Sequence, residues 1–322
     1  MKHGWLNLDK PIGISSAQAV TQIKRIFGIK KAGHLGTLDP LASGVLPIAL
    51  GEATKTIPYL SCDLKAYDFT IKWCEQRTTD DLGGDIIRTS TIEPQYNQIN
   101  CAIKNFIGEI KQTPPQFSAI KIKGARAYKL ARSGQKVNIE PRTVRIHELK
   151  LISVDTINNS ANFSMMCGIG VYVRSIARDL GIALNCFGHI TKLRRTMVGD
   201  FRENKSVTIE QLIEKTRFLV SFQRVTLESR KKEPVSATQM TEGTGSNAKS
   251  FVIPIESALK SMFKVEISPE DAGKIRKGQE IVLNNLRNLK NYDICCTIVG
   301  SVPIAICSFI YGCVKPIRVF NI

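Results

Sequence analysis

The stretch GHLGTLDPLASGVLP, residues 33–47, carries a single carboxylate, Asp39, among glycines, small residues and aliphatics. His34 lies five positions upstream, and no second acid, serine–histidine pair or cysteine cluster accompanies it. Pro40 disfavours helix at the residue before it, so Asp39 is held on extended or turn backbone. Gly33, Gly36 and Gly44 let a ligand or a second backbone come close. An isolated Asp-Pro most often caps a turn in front of a buried strand. The glycines lack the Gly-Lys-Ser/Thr continuation that cradles a phosphate. The chemistry on offer is that of one ionisable acid, acting as nucleophile or base on a group brought to it.

Metal chemistry is an unfavoured reading. The chain has four histidines, His3, His34, His147 and His189, and nine cysteines with no C-x-x-C pair. Cys295 and Cys296 are adjacent, which suits neither chelation nor a routine disulfide, so reduced cysteines used as small core residues are expected. No cofactor is expected.

The elements that must position Asp39 are legible in the apolar pattern. Trp5, Leu6 and Leu8 open a short strand, and Lys10-Pro11-Ile12-Gly13 turns out of it. Ser15 or Ser16 caps a helix that carries Val20, Ile23, Ile26 and Phe27 and stops at Gly28. A strand from Val45 to Leu50 and a helix from Glu52 to Leu60 follow the loop. Tyr67, Phe69, Ile71 and Trp73 alternate as a strand does. Helices are predicted from Asn97 to Phe106 and from about Tyr172 to Leu184, with strands on either side of the latter. Several β runs with two or three helices between them predict an α+β domain on a mixed or antiparallel sheet.

Between about Glu228 and Ser250 the chain loses its aliphatics, which reads as a linker or insertion. Apolar periodicity resumes at Val252, with a short helix from Ser268-Pro269 to Gly278 and several β runs. The expected division is a catalytic domain over 1–225, a flexible linker over 226–250 and a small, mostly β domain over 251–322.

Lys and Arg total 45 against 28 Asp and Glu, a formal net charge of +17. Such a surplus favours a polyanionic partner, because each phosphate neutralised releases condensed counterions. It is concentrated between Lys121 and Arg145: Lys121, Lys123, Arg126, Lys129, Arg132, Lys136, Arg142 and Arg145 face one acid, Glu140. No stretch approaches the roughly 18 consecutive apolar residues of a membrane span, and the start lacks the apolar core of a signal peptide. The expectation is a cytoplasmic, membrane-free monomer.

GHLGTLDPLASGVLPIALGEATK resembles, almost position by position, the catalytic motif of the TruB-type tRNA pseudouridine synthases. Further stretches resemble that family in the right order. They are Lys10-Pro11 with Gly13 and Ser15-Ser16; Lys65-Ala66-Tyr67; QTPPQFSAIKIKGARAYKLARSGQ, residues 112–135; CGIGVYVRSIARDLG, residues 167–181; and LRRTMVGDF, residues 193–201. The similarity spans roughly residues 4 to 220.

The resemblance implies that Asp39 is the essential nucleophile of uridine-to-pseudouridine isomerisation in the T-loop of tRNA, at position 55 in standard tRNA numbering. It implies that Arg174 stands beside Asp39, keeping it charged against desolvation, with Arg178 one turn on as the local competitor. Tyr67 then stacks on the target base and Leu193 closes the apolar side of the pocket. His34 fills the space vacated by the flipped base. Lys10 falls among the substrate-binding residues. The segment of about 112–145 becomes a thumb-like insertion, in which Lys121, Lys123, Arg126, Arg132 and Arg142 clamp RNA. The last domain resembles the family's PUA-like RNA-binding domain in its placement and in the pattern from Gly278 to Val282.

The chain departs from the family at several positions: Cys74 replaces a glycine, Arg77 a threonine, Ile169 and Val171 the commoner Lys and Thr, and Phe117 a common Tyr. Two rivals share the charge pattern. One is the guide-RNA-dependent relative that modifies ribosomal RNA; the other is a non-catalytic RNA-binding protein or RNA chaperone, for which Asp39, Tyr67 and Arg174 are dispensable.

Overall fold

The computed structural model describes residues 3–60, 63–122, 124–133, 135, 138–216, 251–283 and 293–322. The expected linker, Lys123 and the side chain of Arg132 lie outside the described residues.

Strand β1 (Gly4–Lys10) is buried along most of its length because Trp5, Leu6 and Leu8 are fully enclosed. Helix α1 (Ser16–Phe27) begins at Ser15, which exchanges capping hydrogen bonds with Gln18, and ends at Gly28 with φ 59°. Ser15 is therefore the cap, which leaves Ser16 for a second task described below. Strands β2 (Ala32–His34) and β3 (Ser43–Leu50) flank the loop that holds Asp39. The helix expected next is 3-10 over Gly51–Tyr59. Pro58 inside it has no N–H to donate, which fits a short, tight helix.

Strand β4 (Lys65–Trp73) buries Tyr67, Phe69, Ile71 and Trp73 on one face, as the alternation predicts. A hairpin of β5 (Glu75–Arg77) and β6 (Ile86–Thr89) follows. Helix α2 (Tyr96–Ala102) continues as a 3-10 turn over Ile103–Phe106 and leads into β7 (Gly108–Gln112). The basic insertion folds as a small hairpin, β8 (Lys121–Ile122) and β9 (Ala125–Arg126), with helix α3 (Ala127–Arg132). Ala127 and Ile139 are its buried centre. Strands β10 (Arg142–Asp155) and β11 (Ser160–Cys167), helix α4 (Val173–Ala183), β12 (Gly188–Val198), β13 (Phe201–Arg202) and β14 (Val252–Ile253) complete the first unit.

These strands form one sheet in the order β14-β1-β3-β12-β4-β11-β10-β7, with β2 beside β3 and β13 beside β12. It is mixed: β3 and β12 run parallel, through Ser43 and Gly44 beside Arg194 and Arg195, and the other pairings are antiparallel. Gly44 permits that contact. Its φ is +99°, and a Cβ there would lie 2.2 Å from the Arg195 carbonyl oxygen. Any other residue would push β12 away from the start of β3. The core beneath is apolar and aromatic, with the Phe69 and Phe163 rings stacked at 5.3 Å.

Helix α5 (Ile255–Ala258) leads to a second sheet. Its members are β15 (Phe263–Glu266), β16 (Ile281–Val282), β17 (Ile294–Val299), β18 (Val302–Ile310) and β19 (Cys313–Val319), in the order β15-β17-β18-β19-β16. Helix α6 (Pro269–Arg276), capped by Ser268, packs on it, as the Ser-Pro start predicts. The two units share a core in which Trp5, Val45, Ala49, Val198 and Phe201 meet Ile255, Cys296, Ile306 and Phe320. At its edge Lys55 Nζ donates to the Val319 carbonyl at 2.6 Å, and Glu52 Oε2 accepts the Asn321 N–H at 2.8 Å.

Candidate active site

The Asp39 loop is fixed from below. The Ser16 hydroxyl accepts the Leu38 N–H at 2.8 Å and donates to the Leu38 carbonyl at 2.9 Å, so one side chain holds both polar groups of the residue before Asp39. The Gly13 N–H donates to the Pro40 carbonyl at 2.8 Å. Lys10 lies beneath the same turn, wholly buried, with its ammonium donating to the carbonyls of Pro11 and Ile14 at 2.8 Å each. No part of Lys10 reaches the surface. Burial lowers its pKa to about 8, against the pull of the Asp39 charge.

Asp39 pairs with Arg174, Oδ2 to Nε at 2.9 Å; the arginine side chain is 5% exposed and the aspartate 37%. The other guanidinium nitrogens are engaged as well. Nη1 donates to the Thr79 carbonyl at 2.9 Å and lies 3.5 Å from Asp81 Oδ2, and Nη2 donates to the Phe117 carbonyl at 3.0 Å. Arg174 is thus oriented by two further chain segments, the loop of Thr79 and Asp81 and the backbone at Phe117, as it meets Asp39. Arg178, the local competitor, takes no part in this pair. It goes to Asp80 at 3.2 Å and Asp179 at 2.8 Å.

The walls around Asp39 displace bulk water although part of its carboxylate remains open, and that desolvation raises its pKa. Arg174 and Lys10 pull it back and Asp81 pushes it further up, so the net shift is upward. The compensation expected from Arg174 is real but incomplete.

Asp39, Arg174, Tyr67 and Leu193 line one cavity of about 230 Å³. These are the four residues for which the family resemblance implies a shared pocket. Burial raises the Tyr67 phenol, with the Arg195 charge opposing it. His34 lies outside this cavity, on a wider cleft of about 880 Å³ that shares Asp39 and Arg174 and is walled by Phe117, Arg126 and Tyr128. Burial, then Arg195, lowers the His34 pKa, which favours the neutral ring. Of the basic insertion, Arg126 reaches the cleft, while Lys121 sits exposed on the hairpin. Arg142 lies at the cavity itself, its guanidinium 5.1 Å from the centre of the Tyr172 ring and donating to the Gly170 carbonyl.

Sequence reasoning missed Arg195. It is 1% exposed and lines the cavity, with Nε donating to the Val45 carbonyl at 2.8 Å and Nη2 to Gly36 at 2.9 Å. The available signal was the alternation on β12, which turns Arg195 to the same face as Leu193. Ser118 and Lys65 also line the cavity. The departures from the family pattern have plain positions. Cys74 adopts φ 71°, a conformation natural to the glycine it replaces. Arg77 stays within its hairpin, donating to Gly84 and pairing with Glu75. Val171 lines the cavity, and Ile169 is exposed.

In chemical terms, the cavity offers a carboxylate held by a guanidinium between an aromatic and an aliphatic wall, with a cationic entrance. Among the described residues no group of three or more His, Cys, Asp or Glu side chains is placed to hold a metal ion.

The chain matches the family models described as TruB family pseudouridylate synthase (N terminal domain), over residues 24–173, and tRNA pseudouridylate synthase B C-terminal domain, over residues 174–260. The boundary between them falls inside α4, so it does not mark a break in the fold. The chain is 74% identical to the tRNA pseudouridine synthase B of Wolbachia pipientis subsp. Culex pipiens (strain wPip), covering 100% of this chain and 99% of that protein. It is 47% identical to the tRNA pseudouridine synthase B of Ehrlichia canis (strain Jake), over 99% and 98% of the two chains. The fold also matches a solved structure of an H/ACA RNP bound to a substrate RNA containing 2'-deoxyuridine, with TM-score 0.70 and 22% identity over 99% of this chain and 85% of that one. At that identity the likeness concerns the fold alone. By its family models and its relatives along the whole chain, this protein belongs to the TruB family of pseudouridylate synthases.

Proposed function

We propose that the protein isomerises uridine to pseudouridine in the T-loop of tRNA, at the position-55 uridine. The observation that carries this reading is the Asp39–Arg174 pair at 2.9 Å, opening into a cavity walled by Tyr67 and Leu193. The reaction breaks the N1–C1′ bond and forms a C5–C1′ bond; C5 loses a proton and N1 gains one, so nothing is added or removed. A carboxylate serves as the nucleophile that assists the cleavage. The closed walls keep the freed base in place while it turns.

Tyr67 stacks on the base and Arg174 holds Asp39 ionised. The target must leave its stack first, at a cost of a few kcal/mol. His34, neutral and on the outer cleft, takes the place the base vacates. Arg126, with Lys121 and the other cations on the surface of the insertion, holds the RNA backbone, and the shape of the folded loop gives selectivity. The working divisions are the catalytic domain of residues 1–225, a linker and a PUA-like RNA-binding unit to the end of the chain. We place the protein in the cytoplasm as a monomer. No helix among the described residues is long and apolar enough to cross a membrane.

The test is direct. Purified protein is incubated with an unmodified tRNA transcript, without guide RNA or protein partner, and pseudouridine is mapped by mass. Conversion of the T-loop uridine supports the reading. Tight binding without conversion supports a guide-dependent or purely RNA-binding role.

A further inference from the structure

Ser118 stands where the cavity around Asp39 meets the outer cleft and contributes to the wall of both. It is 3% exposed, and its hydroxyl oxygen is buried with no hydrogen-bond partner among the described residues. On the same cavity, the Nε of Arg142 is in the same condition. Buried polar atoms are almost always paired, so two unpaired ones on one small cavity need an explanation.

Looseness does not supply it. The backbone on both sides of Ser118 is held: Phe117 O by Arg174 at 3.0 Å, Ser118 O by the Tyr128 N–H at 3.0 Å, and Ala119 O by Arg126 at 3.0 Å. Three consecutive carbonyls are fixed, which fixes the Cβ of Ser118 and the region its hydroxyl can sweep. A rigid backbone that holds an unpaired hydroxyl in the wall of a binding cavity leaves one rotation about Cα–Cβ between that hydroxyl and a ligand.

We infer that Ser118 is a specificity-determining residue whose hydroxyl hydrogen-bonds the O2–N3–O4 edge of the target uracil, with Arg142 donating to a carbonyl of the same edge. The inference rests on the proposed isomerisation. The chemistry of the base supports it. A half-turn of free uracil about its N3–C6 axis exchanges N1 with C5 and O2 with O4. The carbonyl–NH–carbonyl edge therefore maps onto itself, and a group bound to it meets the same pattern before and after the turn. A hydroxyl both donates and accepts, so it can follow either the N–H or a carbonyl. Arg142, a donor only, is matched to the carbonyls and mismatched to the amino group that cytosine carries on that edge.

The test compares wild type, Ser118→Ala and Ser118→Thr in single-turnover conversion of a tRNA transcript, alongside tRNA affinity and thermal unfolding. Losing one substrate hydrogen bond slows Ser118→Ala about tenfold. Its tRNA affinity is unchanged, and its melting temperature is equal to or above that of wild type, because an unpaired buried hydroxyl has been removed. Ser118→Thr keeps the hydroxyl and recovers rate. Wild-type rate in Ser118→Ala overturns the inference, and so does a slow variant that also melts lower and is not rescued by threonine. If the wild type itself binds the transcript and makes no pseudouridine, the isomerisation reading falls, and this inference with it.

Discussion

Arg174 and Arg178 stand one helical turn apart on α4 and grip neighbouring acids of one loop: Arg174 lies 3.5 Å from Asp81, and Arg178 lies 3.2 Å from Asp80. Both also bind the segment leading into the basic insertion, Arg174 at the Phe117 carbonyl and Arg178 at the Thr113 carbonyl. The helix thus ties Asp39, the acidic loop and the root of the insertion into one unit, and a change in any of them is felt at the Asp39–Arg174 pair.

Arg174→Lys keeps the charge and loses the fork. A lysine cannot reach Thr79, Phe117 and Asp39 together. The expected result is a fall in single-turnover rate of at least about a hundredfold. The acidic limb of the rate profile moves upward, because Asp39, already raised by burial, loses the guanidinium hydrogen bond that helps to lower it. A pH–rate series on both proteins checks this; superimposable limbs would show that Arg174 does not set the ionisation of Asp39.

Asp80 governs a pH-dependent share of stability. Burial raises it from 3.8 to about 6 despite Arg178 and Arg174, with Asp179 adding to the rise. Between those values the folded chain holds a proton that the unfolded chain has released. Its contribution is therefore complete below the lower value and is lost as pH climbs through the higher one. The span is on the order of 3 kcal/mol. Melting temperature plotted against pH should fall more across that window in wild type than in Asp80→Asn. Parallel curves would contradict the assignment.

Lys10→Met removes the donor to Pro11 and Ile14 and one of the charges favouring ionised Asp39. Turnover at saturating tRNA is expected to fall about tenfold as the loop loses its support, equivalent to about 1.4 kcal/mol. Affinity for tRNA stays the same. Loss of affinity with normal saturated turnover would return Lys10 to the RNA surface.

Phe320, 1% exposed, is the last buried side chain of the core shared by the two units. Phe320→Ala is expected to cost about 3–5 kcal/mol. Because Trp5 and Val45 belong to the same core, the catalytic unit should melt earlier along with the small one, in a single transition. Two separated transitions by calorimetry would mean that the units are energetically independent.

Much of this arrangement was legible in the chain. The strand that carries Tyr67 announced itself by alternation, and Ser15 and Gly28 by capping chemistry, because these signals are local. Asp39 and Arg174 needed the family resemblance, since their loop and helix are far apart in sequence and no periodicity links them. The burial of Lys10 was hidden for a related reason. Lysine is usually exposed, and only the fold shows that the turn after β1 folds back over its ammonium. Arg195 and Ser118 went unnoticed because a buried arginine and a lone serine look ordinary in sequence. Their significance comes from parallel β3–β12 contact and from the packing of the insertion root, both of which are tertiary.

The central claim is that Asp39 is the nucleophile, and one comparison tests it most directly. Wild type and Asp39→Ala are mixed with the same tRNA transcript, bound RNA is measured by filter retention, and pseudouridine is counted in the T-loop. The variant is expected to retain tRNA as wild type does and to make no pseudouridine. Conversion by Asp39→Ala at a rate near that of wild type would contradict it.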